Sequence, residues 1–260
     1  MPDYIYRLPN FVIMILLIIS ISVLSIYVPI LLQDFYIFTP TQQSIKLGQA
    51  LFSPIASSTG LLIGFLLNQA QTGYREVENI VSIEAGRINN LDRLLLRFGS
   101  EQALNIRVKL MAYIESIIND EWLTLQHGQG SHVTHLIWRS ISQEAFKLDP
   151  ITPKQLSLYG DIILKQEEIA ESREMRIDRS AKCLPRLFWL VIFILLSSLM
   201  AVNTLFLPDE QFTFGLTILP IAFGALVSLL VITDKPFKGQ NGIRPEALSK
   251  ILASIKTRTE

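Results

Sequence analysis

The sequence predicts an all-α polytopic membrane protein with four transmembrane helices and a long cytoplasmic helical extension. Three observations predict this class: long uncharged apolar blocks, an uneven placement of Lys and Arg, and a heptad pattern between the blocks. The chain has 260 residues, of which 50% are hydrophobic, and equal numbers of acidic and basic residues. In a soluble domain of this size the apolar residues recur at the period of a helix or strand, whereas here they form blocks.

Three uncharged blocks are long enough to cross a bilayer as helices. They cover residues 11–32, 187–207 and 211–233, which are 22, 21 and 23 positions. At about 1.5 Å per residue, each block spans a hydrocarbon core of about 30 Å. Continuous apolar runs lack the alternation of a membrane barrel, so helices are the expected form. The first block is too long for a cleaved signal and no small-residue cleavage site follows it, so we expect it to be retained.

A fourth segment, residues 48–70, is uncharged but rich in small and hydroxyl residues. No charged residue occurs between Lys46 and Arg75. Small residues let membrane helices pack closely, and hydroxyl groups can instead face a water-filled path. Under either interpretation the segment is the second transmembrane helix.

The placement of Lys and Arg predicts the orientation and the division of the chain. Residues 71–186 hold 15 of the 23 basic residues and residues 234–260 hold six, whereas the N-terminal tail has only Arg7 and the first loop only Lys46. Cations concentrate on the cytoplasmic side, so both termini are expected in the cytoplasm. The expected regions are 1–70 with helices 1 and 2, a cytoplasmic helical region 71–183, 184–233 with helices 3 and 4, and a cytoplasmic tail 234–260.

A heptad seam follows the second transmembrane helix. Steps of four and three residues connect Val77, Val81, Glu84, Ile88, Leu91, Leu95 and Phe98. This spacing predicts one buried face of a long helix. After Gly99, a second helix is expected over 101–126, with a buried face of Leu104, Val108, Met111, Ile118 and Trp122. A loop over 127–134, a helix over 134–147 and a helix from Thr152-Pro153 to 182 complete the predicted region.

Glu84 is the one carboxylate in this apolar seam. An unpaired buried carboxylate costs several kcal/mol or shifts its pKa until it is neutral, so Glu84 needs a partner. Arg87, Arg176 and a neighbouring subunit are the candidates. The pair can fix the register of the helices, or Glu84 can sense ions or protons beside a conduction path.

Other chemistry finds little support in the sequence. The three histidines, His127, His132 and His135, lack a zinc-site spacing and have no Cys nearby, so we expect a solvated loop, no metal and no cofactor. No phosphate-binding, hydrolase, zinc-protease or EF-hand motif is present, which argues against an enzyme. The cytoplasmic helices balance basic with acidic residues, which argues against nucleic acid. Arg173, Arg176 and Arg179 follow a spacing typical of a solvated or ion-paired face, or of one that attracts anionic lipid or permeant anions.

Several short motifs resemble the bestrophin-like domain family of bacterial membrane proteins. They are Y-R-E at 74–76, E-A-G-R-I at 84–88, Arg176 with Pro185 and Trp189, D-K-P-F-K-G at 234–239, and R-P-E-A-L at 244–248. The resemblance covers roughly residues 48–250. Two positions depart from the family pattern: the usual paired arginines are Arg75 and Glu76 here, and the usual Asn after Glu-Ala is Gly86.

The D-K-P-F-K-G motif also has a physical interpretation. Pro236 ends the last transmembrane helix, Asp234 can accept hydrogen bonds from nearby backbone amides, and Gly239 permits a turn. Phe237 is expected to anchor the chain at the membrane interface.

The resemblance implies a function as well as a fold. Bestrophins pass chloride and other anions, so the resemblance implies permeant anions. It also implies a homo-oligomer, a pentamer by resemblance, embedded in membrane lipid. The second transmembrane helix of each subunit would line a central pore. Phe52, Ser57, Leu61 and Phe65 then become candidate pore-lining residues. Calcium gating is not expected, because no acidic cluster has calcium-loop spacing. The alternative is a non-conducting membrane scaffold or sensor that binds a partner through its cytoplasmic helices.

Overall fold

The computed structural model describes Tyr6 and residues 8–35, 40–206 and 210–258, without the side chains of residues 210–217. These residues form nine α-helices and no strand, so the predicted all-α class is confirmed. Helices α1 to α9 are Asn10–Asp34, Gln42–Phe98, Glu101–Ser116, Trp122–Leu125, His132–Ala145, Pro153–Ala181, Arg186–Asn203, Glu210–Thr233 and Glu246–Thr257. A π-helical turn, Ile117–Glu121, joins α3 to α4. Arg7 and positions 207–209, used in the orientation and span predictions, lie outside the described residues.

The chain divides into two compact units. The first unit comprises residues 1–73, 183–235 and 239–241, and the second comprises residues 74–182, 236–238 and 242–260. The long helix α2 therefore contributes its first part to the first unit and its remainder to the second.

The first unit packs α1, the first part of α2, α7 and α8 around an apolar core. Its buried residues come from all four helices and include Ile13, Ile63, Leu66, Ile192, Leu199, Phe223 and Leu230. By length and composition, three stretches of the described chain can cross a membrane: α1, α2, and Pro153–Asn203, which contains α6 and α7. The described part of α8 is apolar over Ile218–Thr233. The fourth transmembrane helix therefore stays a prediction.

Helices α1 and α8 approach each other closely at Gly224. A Cβ atom at this position would lie 2.8 Å from the Cα atom of Ile18. Because that atom belongs to the backbone, it cannot rotate away as the end of a side chain can. Gly224 therefore sets how near the two helices pack, as small residues do in membrane helix pairs.

The second unit has its core along the predicted heptad seam. All seven seam positions from Val77 to Phe98 are buried, which confirms the prediction. They pack with buried apolar residues of α3, α5, α6 and α9, including Ile106, Leu110, Ile141, Ile162 and Leu248. α3 contacts both α5 and α9, so the C-terminal helix is part of this unit.

The predicted buried face of the second helix was wrong at its first two positions, whereas Trp122 is buried as predicted and Met111 and Ile118 are partly buried against the core. Leu104 and Val108 are exposed, and the buried positions of α3 include Ala103, Ile106 and Leu110. Apolar residues occur on both sides of this helix, so their spacing alone did not select a face. The π-helical turn then adds a residue to one turn of helix, which changes the register after Ile117 and brings Trp122 into the core.

The helix starts in this unit follow the predicted capping residues. The Ser100 side chain accepts a hydrogen bond from the amide of Ala103 at 3.1 Å and begins α3. Thr152 and Gln155 form a capping box before α6, with Pro153 in its first turn. α5 begins two residues earlier than predicted, at His132, because Ser131 caps it.

Candidate functional site

The first part of α2 has one packed side and one exposed side. Ile63 and Leu66 are buried in the core of the first unit, and Thr59 is buried with its hydroxyl donating to the carbonyl of Ile55 at 2.7 Å. Leu61 and Phe65 lie on the other side, with 77% and 59% of their surfaces exposed. Ser57 is exposed on this same side.

Phe52, the fourth candidate pore residue, is placed differently. Its ring packs edge-on against Phe206 with a centroid distance of 6.2 Å, and it is half-buried. The step from Phe52 to Ser57 is five residues, which turns about 140° around the helix rather than returning to one face. Phe52 therefore lies apart from Ser57, Leu61 and Phe65.

Polar residues that the sequence interpretation did not single out share the exposed side of α2. Asn68 and Thr72 continue the spacing of three to four residues from Leu61 and are exposed, as is Gly64. The Thr72 hydroxyl donates to the backbone carbonyl of Asn68 at 2.9 Å. The spacing of Asn68 and Thr72 from Leu61 was visible in the sequence. Both residues lie near the end of the predicted span, where polar residues are common, so they did not stand out. The exposed side of α2 thus combines apolar and polar residues.

In the second unit, Glu84 is fully buried and paired with Arg176. The Arg176 Nε atom donates to one carboxylate oxygen of Glu84 at 2.7 Å, and Nη2 donates to the other at 3.1 Å. This two-point geometry is the strong form of an ion pair. Arg87, the other candidate partner from the same chain, instead contacts Glu168 at 3.4 Å and donates to the carbonyl of that residue.

Glu121 is a second buried carboxylate of the same cluster, and the sequence interpretation missed it. Arg176 Nη2 donates to it at 2.9 Å, Arg173 Nε at 3.1 Å, and the backbone amide of Ser131 at 3.0 Å. Glu121 ends the π-helical turn and is fully buried beside Trp122 in the sequence. We call Glu84, Glu121, Arg173 and Arg176 the buried charge cluster. Glu121 lies four residues after Ile117 and seven after Ile114, so the spacing of the buried face of α3 would have revealed it; the sequence interpretation missed it because it selected another face of this helix.

The buried charge cluster is electrically balanced, with two carboxylates and two guanidinium groups. Burial alone would lower the pKa of Arg176, but the charges of Glu84 and Glu121 outweigh it and raise that pKa above its ordinary value. Burial, and then the charge of Glu84, raise the pKa of the neighbouring Tyr113 hydroxyl, so Tyr113 stays neutral. The arginine spacing predicted from sequence corresponds to an ion-paired face, since Arg179 also pairs with Glu76.

Trp122 connects the cluster to the C-terminal part of the second unit. Its ring centre lies 5.5 Å from the guanidinium carbon of Arg176, within the range of a cation–π contact. Its indole nitrogen donates to the carbonyl of Ile243 at 2.9 Å, and its ring meets Phe237 edge-on at 5.4 Å. Trp122 therefore fixes the chain after α8 to the same core.

The D-K-P-F-K-G motif makes separate contacts in each unit. In the first unit, Asp234 accepts a hydrogen bond from the backbone amide of Leu184 at 2.7 Å, and Gly239 has a positive φ of 77°. In the second unit, the carbonyl of Pro236 accepts from the amide of Ile243 at 2.8 Å. The expectation that Phe237 anchors at the membrane interface was wrong, because the ring is buried against Trp122.

The three histidines, His127, His132 and His135, are all exposed on the second unit. Over the described residues, no group of three His, Cys, Asp or Glu side chains is arranged to hold a metal ion.

Comparison with known families identifies the chain. A family model for the bestrophin-like domain matches residues 40–248. The chain belongs to the bestrophin-like domain family. It is therefore a membrane protein, and the residues that carry the resemblance lie within the matched region.

Solved structures share the fold of this bestrophin-like chain. A bacterial bestrophin homologue from Klebsiella pneumoniae has a TM-score of 0.69 and 16% identity, covering 96% of this chain and 98% of that one. A crystal structure of a membrane protein variant has a TM-score of 0.71 and 16% identity, covering 95% and 98%. At this identity the likeness shows the fold alone. Among curated proteins, none matches the chain.

Proposed function

We propose that this bestrophin-like chain forms a homo-oligomeric anion channel of the bacterial inner membrane, with α2 lining a central pore and both termini in the cytoplasm. The exposed side of α2 is the observation that carries the proposal. A transmembrane helix in a monomer would place Ser57 and Asn68 against lipid, where polar groups are costly. Copies arranged around an axis place the same groups against water. A pentamer is the arrangement that the family resemblance implies.

Leu61 and Phe65 are the proposed constriction of this pore. They are the large apolar side chains among the exposed candidates of α2, and a ring of such residues closes a narrow pore by excluding water. Ser57 lies one turn before Leu61, and Asn68 nearly one turn after Phe65. Polar groups thus flank the apolar ring on either side along the helix.

Anions are the proposed permeant ions for two reasons. The family resemblance implies anion conduction, and Arg75 is exposed on α2 just after the transmembrane segment. A ring of guanidinium groups near a pore raises the local concentration of anions.

Anion flux from liposomes tests the proposal, with a halide-sensitive dye and the purified full-length chain. Phe65→Ala is the test variant and Phe193→Ala the control, because Phe193 is an apolar residue of α7 with a similar exposed fraction of 68%. We expect Phe65→Ala to raise the flux and Phe193→Ala to leave it unchanged. Equal flux in both variants would remove Phe65 from the constriction.

A reversal potential measured under a potassium chloride gradient tests ion selectivity separately. A potential near the chloride equilibrium value is expected. A potential near the potassium value would keep the channel and overturn the choice of anions.

A non-conducting scaffold is the second candidate function. Several large apolar side chains are exposed on the second unit, among them Phe146 and Ile151, the latter with 86% of its surface exposed. Such residues can bind a protein partner. Absence of flux in wild type and both variants, from protein shown to be folded and oligomeric, would favour this function.

A further inference from the structure

The part of α2 in the second unit has an exposed side opposite the buried seam. Exposed residues recur there at steps of three or four positions, and we call them the polar stripe: Arg75, Asn79, Ser82, Gly86, Asn90, Arg93 and Arg97. Such steps keep residues on one side of a helix. The spacing continues that of Leu61 to Thr72 along the same helix.

The charge of the polar stripe is entirely positive, because its members are three arginines and four uncharged residues. The acidic residues of this part of α2 lie elsewhere. Glu84 and Asp92 are buried, and Glu76 has an arginine partner on α6. Glu78 is exposed but precedes Arg93 by about 22 Å along the helix. The far end of the stripe is therefore a positively charged surface.

Arg93 and Arg97 form this end and stand one helical turn apart. Over the described residues, neither forms an ion pair or a hydrogen bond with another side chain, and Glu101, the acid nearest in sequence, does not reach them. Arg87 and Arg107, their neighbours on α2 and α3, each pair with a carboxylate. Like charges four residues apart on a helix repel each other. An anion bound between Arg93 and Arg97 would relieve this repulsion.

In the proposed oligomer, the two arginines of every copy form two rings one helical turn apart. This arrangement depends on the proposed function, which places α2 around the axis. A guanidinium group presents a planar fork of N–H donors that fits two oxygens of a phosphate group. A chloride ion has one charge and no oxygens, so it uses little of this capacity. A condensed phosphate presents several charged oxygens to both rings at once.

The polar stripe favours a free phosphate chain over a nucleotide or a lipid headgroup. No aromatic residue occurs on α2 between Tyr74 and Phe98, so the stripe offers no ring on which a base would stack. Arg93 follows Arg75 by about 27 Å along the helix, whereas lipid headgroups lie near the end of the transmembrane segment.

We propose that the rings of Arg93 and Arg97 bind a condensed inorganic phosphate, of which pyrophosphate is the smallest. The bound anion lies on the axis of the oligomer, where it obstructs smaller anions.

Calorimetric titration of the full-length protein in lipid nanodiscs with pyrophosphate tests the site without ion flux. We expect one pyrophosphate per oligomer, because the site lies on the axis. Arg97→Gln should weaken binding by about tenfold or more, the effect of losing a hydrogen bond to a charged group. Arg139→Gln is the control, because Arg139 is an exposed arginine of α5 away from the stripe, and it should bind as wild type does.

Several outcomes of this titration would overturn the proposal. They are no binding by wild type, one pyrophosphate per chain rather than per oligomer, and equal affinity in Arg97→Gln and Arg139→Gln. Tighter binding of ADP than of pyrophosphate would overturn the choice of an inorganic phosphate. Dissociation of the Arg97→Gln oligomer in size-exclusion chromatography would assign Arg97 to an ion pair with a neighbouring copy instead.

Chloride flux from liposomes separates this site from the proposed channel. Pyrophosphate should slow the flux of wild type and Arg139→Gln more than that of Arg97→Gln. Flux without pyrophosphate binding would refute the site and leave the channel. Binding of one pyrophosphate per oligomer without flux would refute conduction and leave the site.

Discussion

Replacing Glu84 with Gln tests the buried charge cluster. The change removes one negative charge and leaves Arg176 buried with its second partner, Glu121, at 2.9 Å. Breaking a buried ion pair by removing one member costs about 3–5 kcal/mol. Because Arg176 keeps Glu121, we expect the lower end, about 3 kcal/mol of unfolding free energy.

Glu76→Gln is the matched control on the same helix. Glu76 pairs with Arg179, but their side chains are 42% and 36% exposed. Removing a solvent-screened pair costs about 0–1 kcal/mol. The two variants remove the same charge from α2 and differ mainly in burial.

Thermal unfolding of the full-length protein in detergent measures both variants, with size-exclusion chromatography to report assembly. A loss of about 3 kcal/mol corresponds to a fall of roughly 6–12 °C in the midpoint for a domain of this size. Equal midpoints for Glu84→Gln and Glu76→Gln would refute the reasoning. An unchanged midpoint and assembly with altered ion flux would favour Glu84 as a group on the conduction path.

Three further predictions follow from packing and pKa. Gly224→Ala should lower the unfolding free energy by about 1–3 kcal/mol, because the added Cβ meets the backbone of Ile18. Gly64→Ala is the control, because its Cβ position lies in open space and the change creates no steric clash. Thermal unfolding compares the two variants. Phe237→Ala should cost about 3–5 kcal/mol because the ring is buried against Trp122, and an unchanged midpoint would contradict that contact. The pKa of the Tyr113 hydroxyl is raised in the folded protein, so above about pH 10 the unfolded chain loses this proton first and the free energy of unfolding falls. Between about pH 9 and 11, the wild type should therefore lose more stability than Tyr113→Phe, as measured by thermal unfolding.

The sequence predicted the parts of the fold that depend on period and composition. The seam from Val77 to Phe98 was predictable because apolar residues at heptad spacing alternate with polar ones, and the structure buries all of it. The need of Glu84 for a partner followed from the cost of burying a charge. Which arginine supplies it depends on how α6 lies beside α2, and sequence spacing carries no such information.

The parts that the sequence did not predict depend on local irregularity. The π-helical turn brings Trp122 into the core, whereas Glu121 continues the buried face of α3 and was missed because the sequence interpretation selected another face. The step of five residues before Ser57 separates Phe52 from the exposed side of α2. Phe237 was assigned to a membrane interface because aromatic residues favour that position, whereas an aromatic partner distant in sequence buries it.

The two departures from the family pattern have local explanations in the structure. Glu76 stands where the family usually has an arginine, and it pairs with Arg179 of α6. An acid at this position therefore has its own partner and leaves Arg75 exposed with its charge. Gly86 replaces the usual Asn at an exposed position where an added Cβ would meet no atom within 4 Å. An Asn side chain would extend into open space there, so this departure removes a polar surface group from α2 without changing the packing that holds Glu84.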